Sequence, residues 1–100
     1  MNTEHRIISD LIFKYLELEK IADFGDSYDK ILDRLQPQIQ YLLDNNFQLL
    51  LNALYRIDVD EGKFREVLEL GDPEMISRNV SILILDRVIL KAQTRLKYQQ

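Results

Sequence analysis

The sequence contains no cysteine, which excludes disulfide bonds, thiolate metal ligands and a cysteine nucleophile. Histidine occurs once, at His5, so neither a His-Glu-x-x-His zinc motif nor the paired Glu-x-x-His motifs of di-metal helical bundles can be present. The glycines are few and scattered, and they do not form a phosphate-binding loop. We therefore expect no metal site, no cofactor and no catalytic residues in this chain.

A long hydrophobic run is also missing. The most apolar stretch covers residues 80–85 and ends at Asp86 and Arg87, well short of the roughly 18 residues that a transmembrane helix requires. The N-terminal residues carry charges of both signs and do not resemble a signal peptide. Together with the absence of cysteine, these features predict a cytoplasmic protein that does not use the membrane as a partner.

No segment alternates apolar and polar residues over a strand's length, whereas the longer segments all show the period of a helix, about 3.6 residues. Hydrophobic residues make up 46% and charged residues 30%, a composition typical of a folded domain. A chain of 100 residues can bury one core without metal or disulfide support. The sequence therefore predicts an all-α fold: a single helical domain over residues 1–100, arranged as a compact bundle of four to six helices with a long C-terminal helix.

Capping residues predict where the helices begin and end. The expected segments are residues 3–24, 28–43, 47–57, 59–70 and 72–100. Asp26 or Ser27 should cap the second segment, and the cluster at residues 44–46 should cap the third. Asp58 followed by Glu61 has the spacing of a capping box that would open the fourth.

Glycine and proline mark two further positions. Gly71, Asp72 and Pro73 suit the end of one helix, the cap of the next and its first residue, in that order. Pro37 lies inside the second segment, where it removes the hydrogen bond to the carbonyl of Asp33. We expect it to kink or break that helix.

Helical spacing also predicts which side chains of the first four segments face the core. For the first segment they are Ile7, Ile8, Leu11, Tyr15, Leu18 and Ala22, with Ile12 and Leu16 beside them; for the second Tyr28, Ile31, Leu32, Leu35, Ile39, Leu42 and Leu43; for the third Leu50, Leu51, Leu54 and Tyr55; and for the fourth Val59, Phe64, Val67 and Leu68.

The last segment is apolar almost all round, which indicates packing on several sides. On a helical wheel one face holds Met75, Ile82, Leu85, Ile89, Ala92 and Leu96, and the opposite face holds Arg87, Lys91 and Arg95. The steps of three and four residues from Ile82 to Leu96 are those of a coiled-coil seam. We therefore predict that these residues form an interaction surface, most simply between two copies of the chain.

Charge is unevenly distributed along a chain of net charge −4. Residues 1–74 carry eight Lys or Arg and sixteen Asp or Glu, whereas residues 75–100 carry five and one. A basic helix end of this kind either complements the helix dipole or docks an acidic partner. Binding of nucleic acid through Arg87, Lys91, Arg95, Lys97 and Tyr98 is disfavoured, because the acidic body would repel a polyanion.

The nearest approach to a metal motif runs from Asp58 to Glu69. Its first, third and twelfth positions match a calcium-binding EF-hand loop, but Gly62 and Lys63 occupy the fifth and sixth positions, where an oxygen ligand and a glycine are needed. The capping box accounts for the same residues, so we predict that no calcium binds here.

Two other sets of polar residues could suggest a chemical site. His5 and Ser9 are one helical turn apart, but no orienting acid or oxyanion hole accompanies them. Asp86 interrupts the most apolar stretch, and we expect it to form a structural ion pair with Arg56 or Arg34.

The sequence thus favours a non-enzymatic helical interaction domain, such as an adaptor, regulator or assembly subunit, that self-associates or binds another protein. One alternative is a small ligand-binding protein or enzyme with a pocket between helices, lined by Tyr15, Phe47 and Tyr55. A second alternative is a nucleic-acid-associated regulator.

Overall fold

The computed structural model describes residues 3–17 and 27–98 of the chain. Within these ranges the chain forms five α-helices and no strand, which confirms the all-α prediction and the long C-terminal helix. The helices are α1 (Thr3–Leu16), α2 (Tyr28–Asn45), α3 (Phe47–Ile57), α4 (Glu61–Leu68) and α5 (Pro73–Tyr98).

Helix α5 is the central element, because it contacts each of the other four helices. Polar pairs show that α2 runs antiparallel to it: Tyr28 meets Asp86 at one end, and Gln36 meets Ser77 at the other. With 26 residues rising 1.5 Å each, α5 is about 39 Å long. It therefore spans most of the 43 Å length of the molecule, and α2 begins opposite its middle.

One hydrophobic cluster joins α1, α2, α3, α4 and α5. The side chains that are least exposed to solvent come from every long helix. The largest of them are Ile8, Ile12, Leu16, Ile31, Leu35, Ile39, Leu50, Ile57, Val80, Ile84 and Leu85.

The predicted core face of α5 is rotated from the observed one. Its buried residues are Ser77, Val80, Ser81, Ile84, Leu85, Val88 and Ala92. Of the predicted face only Leu85 and Ala92 belong to this set, whereas Ile82, Ile89 and Leu96 are half-buried. Met75 is 49% exposed, so its predicted place in the core is wrong.

Three of the predicted caps are confirmed. Ser27 accepts a hydrogen bond from the amide of Lys30 at the start of α2, and Asn46 accepts one from the amide of Leu49 at the start of α3. Asp72 Oδ1 accepts a 3.0 Å bond from the amide of Glu74, and Pro73 is the first residue of α5. Gly71 has the left-handed backbone, with φ of 86°, that favours glycine after a helix.

The first helix is shorter than predicted. It ends at Leu16, and Glu17 follows in the left-handed region with φ of 53°. The rest of the predicted segment, residues 18–24, lies outside the described residues, as do the core positions Leu18 and Ala22 and the cap candidate Asp26.

Helix α2 continues without a break through Pro37, so the predicted break does not occur. Burial of Ile31, Leu35 and Ile39 on either side of the proline explains why. The apolar face that binds α2 to the core is continuous across Pro37, and packing therefore outweighs the lost backbone hydrogen bond.

The capping box of the fourth segment is also wrong. Asp58 lies at the C-terminal end of α3 in the left-handed conformation, with φ of 69°, and Asp60 is the N-cap of α4. The Asp60 carboxylate accepts a 2.9 Å hydrogen bond from the amide of Lys63. Helix α4 accordingly begins at Glu61, two residues later than predicted.

Most other core predictions for α1 to α4 hold, with three exceptions. Tyr55 is 88% exposed, while Ala53 and Ile57 of the same helix are buried instead. Tyr28 is 39% exposed and Leu68 36% exposed. Within residues 3–17 and 27–98, no helix has the length and apolar content that a bilayer crossing requires.

Candidate interaction surface

The predicted interaction residues of α5 do not form one exposed face. Leu85 and Ala92 are fully buried within the chain, so a second molecule cannot reach them while the bundle stays closed. Ile82, Ile89 and Leu96 lie half-buried at the margin of the core. Ala92, predicted as part of the interaction surface, is thus buried without a second subunit.

The predicted cations of α5 do lie at the surface, and the fold adds others to them. Around the half-buried ring of Tyr15, Arg56 Cζ lies 5.4 Å from the ring centroid, Lys14 Nζ 5.8 Å and Lys91 Nζ 6.0 Å. These distances are within the range in which a cation is attracted to the face of an aromatic ring.

Three helices bring these groups together. Tyr15 stands one residue before the end of α1, Arg56 lies in the last turn of α3, and Lys91 lies in the C-terminal half of α5. Helix α1 contacts both α3 and α5, so its last turn is between them. Arg87 and Arg95 flank Lys91 on α5 at steps of four residues, which places them on the same side of that helix. We call the group Lys14, Arg56, Arg87, Lys91 and Arg95 around Tyr15 the cationic surface.

Two shallow depressions flank Tyr15. One encloses about 340 Å³ and is lined by Tyr15, Glu17, Leu49, Asn52, Ala53, Tyr55 and Arg56. The other encloses about 410 Å³ and is lined by Leu11, Tyr15, Arg87, Leu90, Lys91, Thr94 and Arg95. Each is lined by both apolar and polar side chains.

Few carboxylates balance these cations. Asp58 Oδ2 lies 3.6 Å from Arg87 Nη2, in an exposed pair, and Glu17 lines the first depression. Within the described part of the chain, Lys14, Arg56, Lys91 and Arg95 have no carboxylate within ion-pair distance. The Nε group of Arg87 likewise has no hydrogen-bond partner in the same ranges. The Nε atom is buried, so what the described residues present at this surface is an excess of positive charge, on a chain of net charge −4.

Sequence reasoning found only part of this surface. It identified Arg87, Lys91 and Arg95, but it missed Lys14 and Arg56. Their separation along the chain left no local pattern that could have pointed to them. Tyr15 and Tyr55, predicted to line a pocket between helices, do share the first depression, whereas Phe47 stacks on Phe64 at 6.3 Å. With Tyr55 88% exposed, that depression gives little of the enclosure typical of small-molecule sites.

The polar residues that could suggest a chemical site are not part of the cationic surface. Ser9 is 5% exposed, and neither its Oγ nor His5 Nδ1 has a hydrogen-bond partner in the described ranges, so the two side chains do not form a hydroxyl–imidazole pair. Among residues 3–17 and 27–98, no three His, Asp or Glu side chains are grouped as a metal site would require. Asp60, in the segment that resembles a calcium loop, uses its carboxylate to cap α4. The absence of calcium binding stays a prediction.

Asp86 is exposed, and the expected burial at the edge of the core is wrong. Its Oδ1 accepts a 2.8 Å hydrogen bond from the hydroxyl of Tyr28, while Arg56, one of the two partners expected for it, lies over Tyr15 instead. Burial of the phenol, followed by this hydrogen bond and the charge of Asp86, raises the pKa of Tyr28 to about 12. The contact is structural, because it joins the first turn of α2 to the middle of α5.

Comparison with known proteins gives one partial similarity. The chain is 32% identical over 71 residues to Ras guanine nucleotide exchange factor D of Dictyostelium discoideum. The match covers 70% of this chain and 10% of that protein, so the chain spans about a tenth of the length of this relative. No protein-family model and no solved structure matches the chain.

Proposed function

We propose that this chain is a non-enzymatic helical interaction module, an adaptor, regulator or assembly subunit of the cytoplasm, and that it self-associates through the last turns of α5. The observation that supports this best is the surface of α5 beyond Asp86, the residue that the first residue of α2 contacts. There Leu90 is 51% exposed and Tyr98 81% exposed, next to the exposed cation Arg95. Exposed apolar and aromatic groups beside arginine are typical of protein interfaces.

The similarity to an exchange factor is consistent with a modular role. A segment like this one occurs within a protein about ten times the length of the match, which is what a module carried by a larger chain would show. The relative is named as a Ras guanine nucleotide exchange factor. An assembly that contains such a factor is therefore the first place to look for a partner.

The geometry revises the seam through which two copies would meet. Leu85 and Ala92 already belong to the core of a single chain, so they contribute nothing to a second contact. The seam would instead consist of the exposed Leu90 and Tyr98, which lie on the same side of α5, whereas the half-buried Leu96 lies on the other side. This is a smaller apolar surface than a full coiled-coil seam, and a weak dimer is expected.

Sedimentation equilibrium at about 100 μM, above ordinary homodimer dissociation constants, tests this proposal. Leu90→Glu should shift the chain toward monomer, because it places a charge in the apolar seam. Leu70→Glu is the matched control, since Leu70 is 45% exposed and lies in the loop before α5. A wild-type monomer at this concentration would refute self-association, and binding to a different protein would then be tested by itself.

The cytoplasmic location belongs to the same proposal. It is motivated by a sequence of 100 residues without cysteine. Imaging of a fluorescent fusion in the source cell would test it, and a signal confined to a membrane-bounded compartment would contradict it.

A further inference from the structure

We infer that the cationic surface around Tyr15 binds an acidic, extended peptide segment of a partner protein. The inference rests on the proposed role as an interaction module, but it does not require self-association. It starts from three cations, Lys14, Arg56 and Lys91, that lie within 6.0 Å of one ring centroid and have no carboxylate partner in the described ranges.

Grouping like charges is unfavourable unless an anion offsets their repulsion. The ring of Tyr15 supplies only the weak attraction of its π face, which is shared among three cations. Arg87 and Arg95 add to the same positive field from the second depression. The nearby acids of the described residues, Glu17 and Asp58, are too few to neutralise five cations, and Asp58 is already 3.6 Å from Arg87.

The shape of the surface selects the class of anion. Tyr15 lines both depressions, so a ligand that fills both must extend past this residue. The lining of each includes apolar side chains, Leu49 and Ala53 in the first and Leu11 and Leu90 in the second. A peptide can place an apolar side chain in such a depression and carboxylates at the cationic rim, whereas an inorganic anion uses only the rim.

Arginine donors favour carboxylates in particular. A guanidinium binds a carboxylate through two parallel N–H groups, and Arg56 and Arg95 are exposed with no carboxylate within ion-pair distance among the described residues. Nucleic acid is the less suitable occupant, because the whole chain carries a net charge of −4 and would repel an extended polyanion.

The test is a fluorescence-anisotropy titration of the intact chain into a fluorescein-labelled peptide of about ten residues, acidic except for one central leucine. Binding should weaken as salt is raised, since the rim contacts are partly exposed charges. The variant R56Q/K91Q should weaken binding about tenfold, because two charge-assisted contacts are lost. The control K63Q/R65Q removes the same charge from α4 and should change affinity less than about twofold.

Arg56 is exposed and Lys91 half-buried, so the glutamine variants should fold, and circular dichroism with thermal unfolding would verify this. Y15L is a second probe: without the ring, the cations lose the group that holds them together, and binding should fall by an intermediate factor. An equal loss of peptide affinity in R56Q/K91Q and in K63Q/R65Q would mean that the peptide is attracted to positive charge in general, and it would overturn the inference.

Other occupants give distinct outcomes. If a single-stranded oligonucleotide of equal charge, or inorganic phosphate, binds more tightly than the peptide, the inference is overturned and that anion is the better ligand. If R56Q/K91Q instead abolishes self-association in sedimentation, the occupant is a second copy of the chain and the inference is wrong. Because Leu90 lines the second depression and also belongs to the proposed seam, the titration is run at a chain concentration at which the dimer dissociates. Failure of the peptide to bind the monomer, while the chain still dimerises at about 100 μM, would refute this inference alone and leave the proposed function standing.

Discussion

The hydroxyl of Tyr28 donates a 2.8 Å hydrogen bond to Oδ1 of Asp86 and so joins the start of α2 to the middle of α5. Burial, the hydrogen bond and the Asp86 charge raise the pKa of Tyr28 from 10.0 to about 12. A raised pKa in the folded state means that folding favours the protonated phenol. The stabilisation is therefore complete below pH 10 and is lost as the pH rises toward 12.

We expect Tyr28→Phe to lower the free energy of unfolding by about 1 kcal/mol at neutral pH, the usual net contribution of such a bond. The difference from wild type should shrink between pH 10 and about 12, as the wild-type phenol ionises. Urea unfolding at several pH values measures both quantities. Tyr41→Phe, at a residue 62% exposed, is the control and should stay within about 0.5 kcal/mol of wild type throughout. A Tyr28 difference that is independent of pH would contradict the assignment.

Leu85 and Leu90 are both on α5, but the structure gives them opposite roles. Leu85 is fully buried, so Leu85→Ala should lower the free energy of unfolding by about 2–5 kcal/mol. Leu90 is 51% exposed, and Leu90→Ala should change the free energy of unfolding of the monomer by no more than about 0.5 kcal/mol. Urea denaturation at low protein concentration, where any dimer dissociates, separates the two. Similar small effects at both sites would show that Leu85 belongs to a surface seam after all.

The end caps of the helices could be predicted because they depend on nearby residues. Ser27, Asn46 and Asp72 each bond to an amide two or three positions further on, and that spacing is visible in the sequence. The rotation of α5 could not be predicted in the same way. This helix is apolar almost all round, and Ile82 and Ile89 are as hydrophobic as the buried Ile84 and Val88. The sequence therefore does not distinguish the face of α5 that packs against the core.

Two serines made the rotation of α5 harder still to predict. Ser77 and Ser81 are buried against the bundle, although serine counts as polar on any hydropathy scale. The hydroxyl of Ser81 donates a 2.7 Å bond to the carbonyl of Ser77, and the hydroxyl of Ser77 donates to the carbonyl of Glu74. These small side chains thus satisfy their hydroxyl donors within their own helix and can enter the core without a large penalty.

The cationic surface depends on tertiary packing, which explains why only its α5 residues were predicted. Lys91 and Arg95 form a pattern on one helix, but Arg56 joins them only because α1 packs between α3 and α5. Tyr15 was placed on the apolar face by its spacing, and it is in fact half-buried beneath the cations. Helix periodicity locates a residue on its own helix and says nothing about which helix faces it.

Pro37 lies inside α2, where its ring removes the hydrogen bond to the carbonyl of Asp33. We expect Pro37→Ala to raise the free energy of unfolding by about 1–3 kcal/mol, because alanine restores the backbone donor and Pro37 is exposed. The greater entropy of the unfolded alanine chain offsets about 0.4–1 kcal/mol of the gain.

Pro37→Gly is the matched variant, since it restores the same N–H group without the helix preference of alanine. Its gain should be smaller by about 1 kcal/mol. Thermal or urea unfolding of the three chains measures this order. If alanine brings no gain, then α2 has adapted to the proline, and its packing against α5 rather than its backbone limits stability.

The link between α3 and α4 contains two aspartates with different roles, although the capping-box spacing suggested that Asp58 caps α4. Asp60 accepts the amide of Lys63, so Asp60→Ala should lower the free energy of unfolding by about 1 kcal/mol. Asp58 has φ of 69°, a conformation that glycine adopts without strain, and its pair with Arg87 is exposed. Asp58→Gly should therefore leave stability unchanged or raise it slightly. Urea unfolding compares the two variants, and a larger loss in Asp58→Gly than in Asp60→Ala would restore Asp58 as the cap.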